Sequence, residues 1–258
     1  MQWHLFFGDV VKSNREWRFW GETDPLFAVN SRADKRAGLP GAWTADEFLA
    51  TGETYFADVA AQWRQYGMGE HRCIEVGCGA GRITGPLLAR FASVVAIDVS
   101  HAQIESAKRL LGERAKRVSF FVVDEPVIPV DDDSCDGFFS SEVFQHFSNA
   151  AGIRQYLSAA VAKLMPGATA CFQLPISGLQ RLTRPIDRLR VRLIPVQRML
   201  GRKAIMDFRF YEAPAVFLMM EAAGFRDCEM RVFEVDGHGG RPIFFFGRKP
   251  SSPSDGQR

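Results

Sequence analysis

A glycine-rich turn within residues 74–84 has the residue types and spacing of a nucleotide-binding loop. The sequence there reads IEVGCGAGRIT, an apolar strand that continues directly into the turn and then into a helix. Gly77, Gly79 and Gly81 permit a tight turn and bring bare backbone N–H groups close to a ligand. Because such a turn lies at the N-terminus of a helix, we expect it to bind part of a nucleotide-like cofactor.

A carboxylate in this turn restricts the kind of cofactor. Glu75 lies at the end of the strand, and Arg82 follows the third glycine of a G-x-G-x-G spacing. A dinucleotide would place its pyrophosphate here, and Glu75 would repel that group unless its side chain pointed away. A cofactor with a cationic sulfonium and an amino-acid tail is compatible with the carboxylate.

Two more acidic residues end predicted strands. SVVAID (93–98) ends in Asp98, 17 residues after Gly81, close to the interval at which nucleotide-binding folds present a carboxylate to ribose hydroxyls. The alternative is that Asp98 caps the next helix. RVSFFVVD (117–124) ends in Asp124.

These segments resemble class I S-adenosylmethionine-dependent methyltransferases. The turn in 74–84 resembles the first motif of that family, and SSEVFQHF (140–147) resembles the fourth motif of its small-molecule methyltransferases. LMPGATACFQLP (164–175) resembles the turn and strand that follow in the family. The resemblance is specific over residues 71–175, looser to about residue 250, and absent before residue 70.

The resemblance implies S-adenosylmethionine as the cofactor. Glu75 and the glycine amides would lie at its methionine end, Asp98 at the ribose and Asp124 near the adenine. Glu125 stands where the family usually has a small residue. The residues that the resemblance and the turn assign to the cofactor are Glu75, Gly77, Cys78, Gly79, Gly81, Arg82, Asp98, Val99, Asp124, Glu125 and Ser141.

Methyl transfer from a sulfonium is an in-line displacement, so the protein must align the reactants and, where needed, remove a proton from the acceptor. The candidate bases are His146 and His238, because imidazole titrates near neutral pH. For each histidine taken alone, a structural role is the more common alternative. Gln145 and Arg241 are candidate acceptor contacts. We expect no metal site, because the three aspartates at 131–133 have no histidine or cysteine nearby.

Five predicted strands alternate with helices, which indicates an α/β fold with a doubly wound, Rossmann-like sheet and a ligand at its carboxyl edge. Helices are predicted at 44–66, 82–91, 101–115, 149–164 and 213–225. The sheet should be mostly parallel with an antiparallel last strand. The final two strands are joined by DGHGGR, which would bring His238 and Arg241 towards the cofactor if the sixth strand is parallel to the others.

Two regions outside the motifs are candidates to cover the site. Residues 1–70 are rich in aromatic side chains and predict an N-terminal helical cap, whose aromatic residues either pack on the sheet or close over the ligands. Residues 15–30 are the best candidate for a lid, because Gly21 and Pro25 interrupt any single regular helix there.

A basic insertion follows the fifth strand. Residues 176–210 contain nine Arg and Lys residues against Asp187 and Asp207, a net charge of +7 in a chain of +2. We expect a lid that grips an anionic acceptor, or one that holds the enzyme against an anionic membrane surface. The alternative is a solvated basic face. Nucleic acid is a weak candidate, because no basic groove interleaved with aromatic residues is evident.

Length and composition predict one domain. Its 258 residues divide into the cap at 1–70, the methyltransferase domain at 71–250 with the insertion at 176–210, and a disordered tail at 251–258. Five cysteines without a CxxC pair indicate a reduced, cytoplasmic protein. No signal peptide and no apolar run of about 18–20 residues is recognisable. The acceptor predicted for this domain is a small molecule, a sugar or a lipid-linked molecule.

Two rival functions share the glycine turn. One is an NAD(P)- or nucleotide-sugar-dependent oxidoreductase, which is disfavoured by Glu75, by Arg82 and by the lack of a Tyr-x-x-x-Lys pair. The other is a non-catalytic scaffold that binds the cofactor and positions a partner through the basic insertion.

Overall fold

The computed structural model describes residues 4–147, 149–179, 208–234 and 241–251, with side chains from residue 14 onwards. Within these residues one sheet has the strand order β3-β2-β1-β4-β5-β7-β6. The strands are β1 Arg72–Val76, β2 Ser93–Asp98, β3 Val118–Val122, β4 Cys135–Ser140, β5 Leu164–Gln173, β6 Arg226–Val232 and β7 Ile243–Arg248.

The sheet confirms the predicted fold class. Strands β3, β2, β1, β4 and β5 pair in parallel, whereas β7 pairs antiparallel with both β5 and β6. The last strand in the chain is thus the antiparallel one. Strand order reverses between β1 and β4, so the carboxyl ends of these two strands flank the switch point at which ligands bind in such sheets.

Helices cover both faces of the sheet. They are α1 His4–Thr23, α2 Pro25–Val29, α3 Ala45–Tyr66, α4 Thr84–Leu88, α5 His101–Leu111, α6 Ala150–Lys163 and α7 Ala213–Ala223. Helix α4 is shorter than the predicted 82–91, because the glycine turn extends to its start and Gly85-Pro86 lies in its first turn. Within the described residues, no helix has the length and apolar character that crossing a bilayer requires.

Residues 15–30 form two helices that meet at Asp24. The Asp24 carboxylate accepts a hydrogen bond from the Phe27 amide at 3.3 Å, and Pro25 opens α2. Gly21 does not interrupt α1, contrary to the expectation from the sequence. A Cβ at Gly21 would overlap the Ser100 hydroxyl, so the glycine allows α1 to approach α5 closely.

Helix α3 packs across one face of the sheet and reaches its carboxyl edge. A capping box of Thr44 and Glu47 begins the helix, and Gly67 ends it with a φ of 119°. The buried Trp63 indole donates a hydrogen bond to Thr169 in β5 at 2.8 Å. The helix thereby places the Tyr55 hydroxyl 2.9 Å from the Ser141 hydroxyl, directly after β4.

The cysteines are small interior residues with free thiols, as the sequence predicted. Cys73, Cys78, Cys135 and Cys171 are buried, and Cys228 is partly buried. Burial raises the pKa of the Cys73, Cys78 and Cys171 thiols well above the ordinary value. These groups are therefore protonated at neutral pH and contribute packing.

Candidate active site

A cavity of about 310 Å³ lies at the carboxyl edge of the sheet. It is bordered by the residues that follow β1, β2, β3 and β4 and by parts of α1 and α2. It collects most of the residues selected from the sequence: Glu75, Gly77, Cys78, Gly79, Arg82, Asp98, Val99, Asp124, Glu125, Ser141, Gln145 and His146.

The glycine turn is tied to β2. The amides of Gly77 and Cys78 donate to the Ile97 carbonyl at 2.7 and 3.1 Å. Gly77 and Gly79 have φ angles of 76° and 51°, which other residues rarely adopt. A Cβ at Gly79 would lie 2.6 Å from a Val29 methyl of α2, so glycine is needed there for space as well as for conformation.

Gly81 has a different role from the one predicted. It does not line the cavity; a Cβ there would lie 3.2 Å from the Cβ of Ala107 in α5. Its φ of 84° belongs to the same turn. The third glycine therefore allows close packing between the turn and α5.

Asp98 lies where the sequence placed it, at the end of β2. Its carboxylate accepts hydrogen bonds from the Gly79 and Ser100 amides, both at 2.9 Å. These bonds fix the carboxylate beside the glycine turn, although burial raises its pKa. Asp98 both orders the turn and faces the cavity, so its geometry suits a vicinal diol.

Glu75 is buried, and few contacts offset the desolvation of its carboxyl group. It is 3% exposed, and its Oε2 accepts a hydrogen bond from the Thr84 hydroxyl at 2.7 Å. Burial raises the pKa of Glu75 to about 7, and Asp98 adds to this while Thr84 and Arg82 oppose it. A cationic group in the cavity would stabilise the ionised form.

Arg82 is a buried cation at the same end of the cavity as Glu75. It is 6% exposed, and its guanidinium lies over the Tyr55 ring, 4.8 Å from the centroid. Its Nε has no hydrogen-bond partner among the described residues. An ammonium beside Glu75 and a carboxylate beside Arg82 would complement this pair, which fits the amino-acid end of S-adenosylmethionine.

Helix α1 contacts the adenine end that the sequence predicted. Arg18 pairs with the carboxylate of Asp124, and its Nε donates to the Val99 carbonyl at 3.1 Å. The Asn14 amide donates to the Asp124 carbonyl at 2.8 Å. Asn14 also lines the cavity and was missed by the sequence analysis. Asn14 and Arg18 are four residues apart, so both lie on one face of a helix. This spacing is the sequence signal that could have identified Asn14.

The residues after β4 form the other end of the cavity. His146 lies against Trp17 of α1 and Phe208, with ring centroids 4.8 and 6.2 Å away. Gln145 is 3% exposed and its Nε2 lies 3.3 Å from the His146 Nε2. Trp17 and Phe208 were not among the predicted site residues, because neither belongs to a recognised motif.

Glu142 lines the same end in a strained conformation. Its φ is 62°, and its amide donates to the buried Gln173 side chain at 2.7 Å. A non-glycine residue in the left-handed region is unfavourable and persists only when its surroundings hold it. That Gln173 contact holds the backbone so that a carboxylate borders the cavity.

Of the two candidates from the final hairpin, the structure describes Arg241, which is not brought to the cavity. Arg241 pairs with Glu234, is 61% exposed, and does not line the cavity. Arg241 precedes β7, which is separated from β4 by β5, and its side chain is directed to Glu234. His238 lies outside the described residues.

Both ends of the basic insertion meet at the carboxyl edge of β5. Ile176 pairs with Tyr211, and the Ser177 amide donates to the Tyr211 carbonyl at 2.9 Å. The Arg209 amide donates to the Gln145 carbonyl at 2.9 Å. The segment leaves and returns beside the cavity, while residues 180–207, with most of its charge, lie outside the described residues.

Comparisons with known proteins agree with this geometry. Residues 73–167 match a family model described as a methyltransferase domain. Comparison of the sequence with curated proteins finds no significant match.

Solved structures resemble the chain at low sequence identity. Phosphoethanolamine N-methyltransferase 2 of Haemonchus contortus, solved with phosphomonomethylethanolamine and S-adenosylhomocysteine, is 16% identical with a TM-score of 0.56, over 80% of this chain and 58% of that one. NodS, an N-methyltransferase of Bradyrhizobium japonicum, is 16% identical with a TM-score of 0.54, over 77% and 97%. A Galdieria sulphuraria protein, provisionally described as a sarcosine dimethylglycine methyltransferase, is 12% identical with a TM-score of 0.55. The match covers 80% of this chain and 88% of that one.

The match of residues 73–167 to the methyltransferase model favours methyl transfer over the rival functions that share a glycine turn. The Haemonchus enzyme has been crystallised with S-adenosylmethionine and with S-adenosylhomocysteine. The buried Glu75 and Arg82 pair here is complementary to the amino-acid end of that cofactor. Residues 73–167 of this chain therefore match a methyltransferase domain, and the sheet has the fold of solved S-adenosylmethionine-dependent methyltransferases.

Proposed function

We propose that this enzyme methylates an amino group of a small molecule. The observation that carries the proposal is the charge of the cavity. Its described lining holds one guanidinium, that of Arg82, and five carboxyl groups, those of Glu75, Asp98, Asp124, Glu125 and Glu142. This excess of acidic groups favours ligands with positive charge.

The cofactor would contact most of these charged groups. We assign Glu75 to the ammonium, Arg82 to the carboxylate and Asp98 to the ribose diol. Asp124 already pairs with Arg18, so it would meet the adenine as part of that ion pair. Glu125 and Glu142 have no role in this assignment. The resemblance puts Ser141 and Glu142 nearest the cofactor and Gln145 and His146 nearest the acceptor, and we propose that Glu142 also meets the acceptor where the methyl group is transferred.

An ammonium group suits the surroundings of Glu142. The carboxylate would attract it, and the aromatic rings of Trp17 and Phe208 offer electron-rich faces nearby. An anionic reactive group would be repelled by the same carboxylate. The acceptor amines in the names of two structural relatives, phosphoethanolamine and sarcosine, support this choice.

Amine methylation requires a proton to leave. Glu75, Arg82 and Asp98 would hold S-adenosylmethionine, which would supply a methyl group activated by its sulfonium; the amine nitrogen lone pair would form the new bond while the carbon–sulfur electron pair returned to sulfur. We propose that His146 first accepts a proton from the bound ammonium, giving a neutral amine that can attack. Glu142 would stabilise the cationic amine before transfer and the methylammonium product after it.

The sequence-based predictions for the surrounding regions remain proposals. We propose that α1, α2 and the segment 176–210 enclose the acceptor, which is supported by the lining contributed by Trp17, Val29 and Phe208. The arginines of the insertion would then meet a distal anionic group of the acceptor. Anionic membrane contact and a lipid-linked or sugar acceptor remain alternatives for that segment, and a cytoplasmic location remains a prediction.

Labelling a metabolite extract tests the proposal. The purified enzyme would be incubated with the extract and with S-adenosylmethionine carrying an isotopically labelled methyl group. We expect the label in small molecules that mass spectrometry identifies as methylated on an amine nitrogen. Label confined to products methylated on oxygen or carbon, or to lipids, would contradict the amine assignment.

A further inference from the structure

Tyr55 lies behind the methionine end of the cavity without lining it. It belongs to α3, which precedes the residues that match the methyltransferase model, and it is 2% exposed. The Phe244 ring of β7 packs against it, with the ring centroids 6.2 Å apart. Two residues that do line the cavity, Arg82 and Ser141, contact different parts of this one side chain. Tyr55 can therefore influence a ligand through these two neighbours.

The ring of Tyr55 supports the guanidinium of Arg82. The guanidinium carbon lies 4.8 Å from the ring centroid, and the Arg82 Nε has no hydrogen-bond partner in the described part of the chain. A buried cation is costly unless other groups stabilise it, and a position over an aromatic face supplies part of that stabilisation. Gly52, one turn earlier in α3, lets the helix approach the Arg82 backbone closely. The helix thus contacts Arg82 at its backbone and at its guanidinium.

The hydroxyl of Tyr55 contacts the hydroxyl of Ser141. The two oxygens are 2.9 Å apart, and either can be the donor. A hydroxyl group can accept one hydrogen bond and donate another at the same time, so Ser141 keeps hydrogen-bonding capacity towards the cavity. Burial raises the pKa of Tyr55 well above its ordinary value. The phenol is therefore neutral at working pH, and its contact with Ser141 does not depend on pH.

We propose that Tyr55 is a positioning residue: its ring orients Arg82 and its hydroxyl orients Ser141, so that both bind the carboxylate of the cofactor. One carboxylate oxygen would accept from the guanidinium, and the other would accept from Ser141, which in turn accepts from Tyr55. The inference rests on the proposed function for its assignment of Arg82 to that carboxylate, and it does not depend on the acceptor.

The charges nearby make the orientation of Arg82 important. Its guanidinium interacts with the carboxyl group of Glu75, and Glu142 interacts with Tyr55. Both carboxyl groups would repel the carboxylate of a ligand unless donors surround it. Arg82 is the only guanidinium in the described lining of the cavity. The direction of that guanidinium, together with a second donor at Ser141, therefore determines where a carboxylate can bind.

Two ligands that differ only in this carboxylate test the inference. S-adenosylmethionine and its decarboxylated form share the adenosine, the sulfonium and the ammonium. Calorimetric titration of the full chain would give the ratio of their Kd values for the wild type and for variants of Tyr55. We expect Tyr55→Phe to reduce the preference for the carboxylated form by about threefold and Tyr55→Leu by about tenfold. The Kd of the decarboxylated form should change by less than about twofold, because it makes no contact at this subsite.

Tyr66 provides the matched control in the same helix. It is also buried, its hydroxyl donates to the Asp227 carbonyl at 2.6 Å, and the Arg248 guanidinium lies 5.3 Å from its ring centroid. None of these three described residues lines the cavity. Tyr66→Phe and Tyr66→Leu should therefore leave the ratio of the Kd values unchanged, whatever their effect on the free energy of unfolding.

Ser141→Ala tests whether the phenol acts through Ser141. It should reduce the preference for the carboxylated ligand by about threefold, and adding Tyr55→Phe should cause little further loss. If Tyr55→Leu does not fold, Tyr55→Phe and Ser141→Ala decide the result.

Three outcomes would overturn the inference: equal weakening of both ligands by the Tyr55 variants, an equal change in the Tyr66 variants, or additive losses in the double variant. A wild-type enzyme without preference for the carboxylated form would instead reject the assignment of Arg82 in the proposed function.

Discussion

The indole ring of Trp17 meets the imidazole ring of His146 at an interplanar angle of 62°, with the centroids 4.8 Å apart. The next residue, Arg18, reaches the opposite end of the cavity, where it contacts Val99 and Asp124. A single helix thus contacts both the proposed base and the predicted adenine end. We expect α1 to control exchange of the cofactor.

Arg18→Ala should accelerate cofactor release. The substitution removes a hydrogen bond to a backbone carbonyl and a largely exposed ion pair, together about 1 kcal/mol. That energy corresponds to an increase of about fivefold in the dissociation rate of S-adenosylhomocysteine. Stopped-flow tryptophan fluorescence would measure it. The control is Arg15→Ala, because Arg15 is an exposed arginine of α1 outside the face that carries Asn14 and Arg18. Equal dissociation rates in the two variants would show that the Arg18 contacts do not control cofactor exchange.

Glu75 should make both stability and cofactor binding depend on pH. Its folded pKa of about 7 lies above the ordinary value of 4.5, so near neutral pH the folded state holds a proton that the unfolded state has released. Its contribution to stability is therefore complete below pH 4.5 and is lost as the pH rises through about 7. A cationic ligand favours the ionised form, so binding should strengthen over that interval and release a proton.

Glu75→Gln separates these two effects. The glutamine can still accept from Thr84 but removes the buried ionisable group, so the fall in unfolding free energy between pH 5 and about pH 8 should become smaller. Affinity for S-adenosylmethionine should lose its pH dependence and be weaker at pH 8. Urea unfolding and calorimetric titration across pH would measure both. An unchanged pH dependence of affinity would argue against Glu75 at the methionine end.

Gly52 should be required for the position of Arg82. A Cβ at Gly52 in α3 would overlap the Arg82 backbone carbonyl. Gly52→Ala should therefore lower the free energy of unfolding by about 1–3 kcal/mol, and it should weaken cofactor binding as Arg82 is displaced. Gly85→Ala is the matched control, since its Cβ would lie 3.4 Å from the end of the Arg114 side chain and should be neutral or stabilise by up to about 1 kcal/mol. Equal stability of both variants would contradict the close approach.

The cofactor side of the cavity was predictable because its residues follow strands in a fixed order. Glu75, Asp98 and Asp124 each occur at or just after an apolar strand, and parallel strands bring such positions to one edge. The roles of Gly81 and Arg241 depended on distances across the sheet. Gly81 packs against α5, and Arg241 lies next to β7, on the far side of β5 from the cavity. Local sequence does not reveal either position.

The acceptor side depended on contacts between distant segments. Trp17, Phe208 and His146 meet across intervals that no periodicity links, and the strained backbone of Glu142 is held by Gln173 from β5. The sequence could indicate that residues 15–30 break into two elements, because Pro25 lacks an amide hydrogen. It could not show that Gly21 remains helical. The reason for a glycine there is the close approach of α1 to the start of α5, which local sequence does not reveal.

The most direct test of amine selection compares Glu142→Gln with Glu125→Gln. Both variants remove one carboxylate from the cavity, the first at the acceptor end and the second at the adenine end. The measurement is kcat/KM for the labelled amine, with the Kd of S-adenosylmethionine determined in parallel. We predict a loss of about 100-fold or more in kcat/KM for Glu142→Gln, equivalent to nearly 3 kcal/mol, with Kd unchanged. A loss no larger than that of Glu125→Gln, or a loss confined to cofactor affinity, would contradict an acceptor bound as an amine at Glu142.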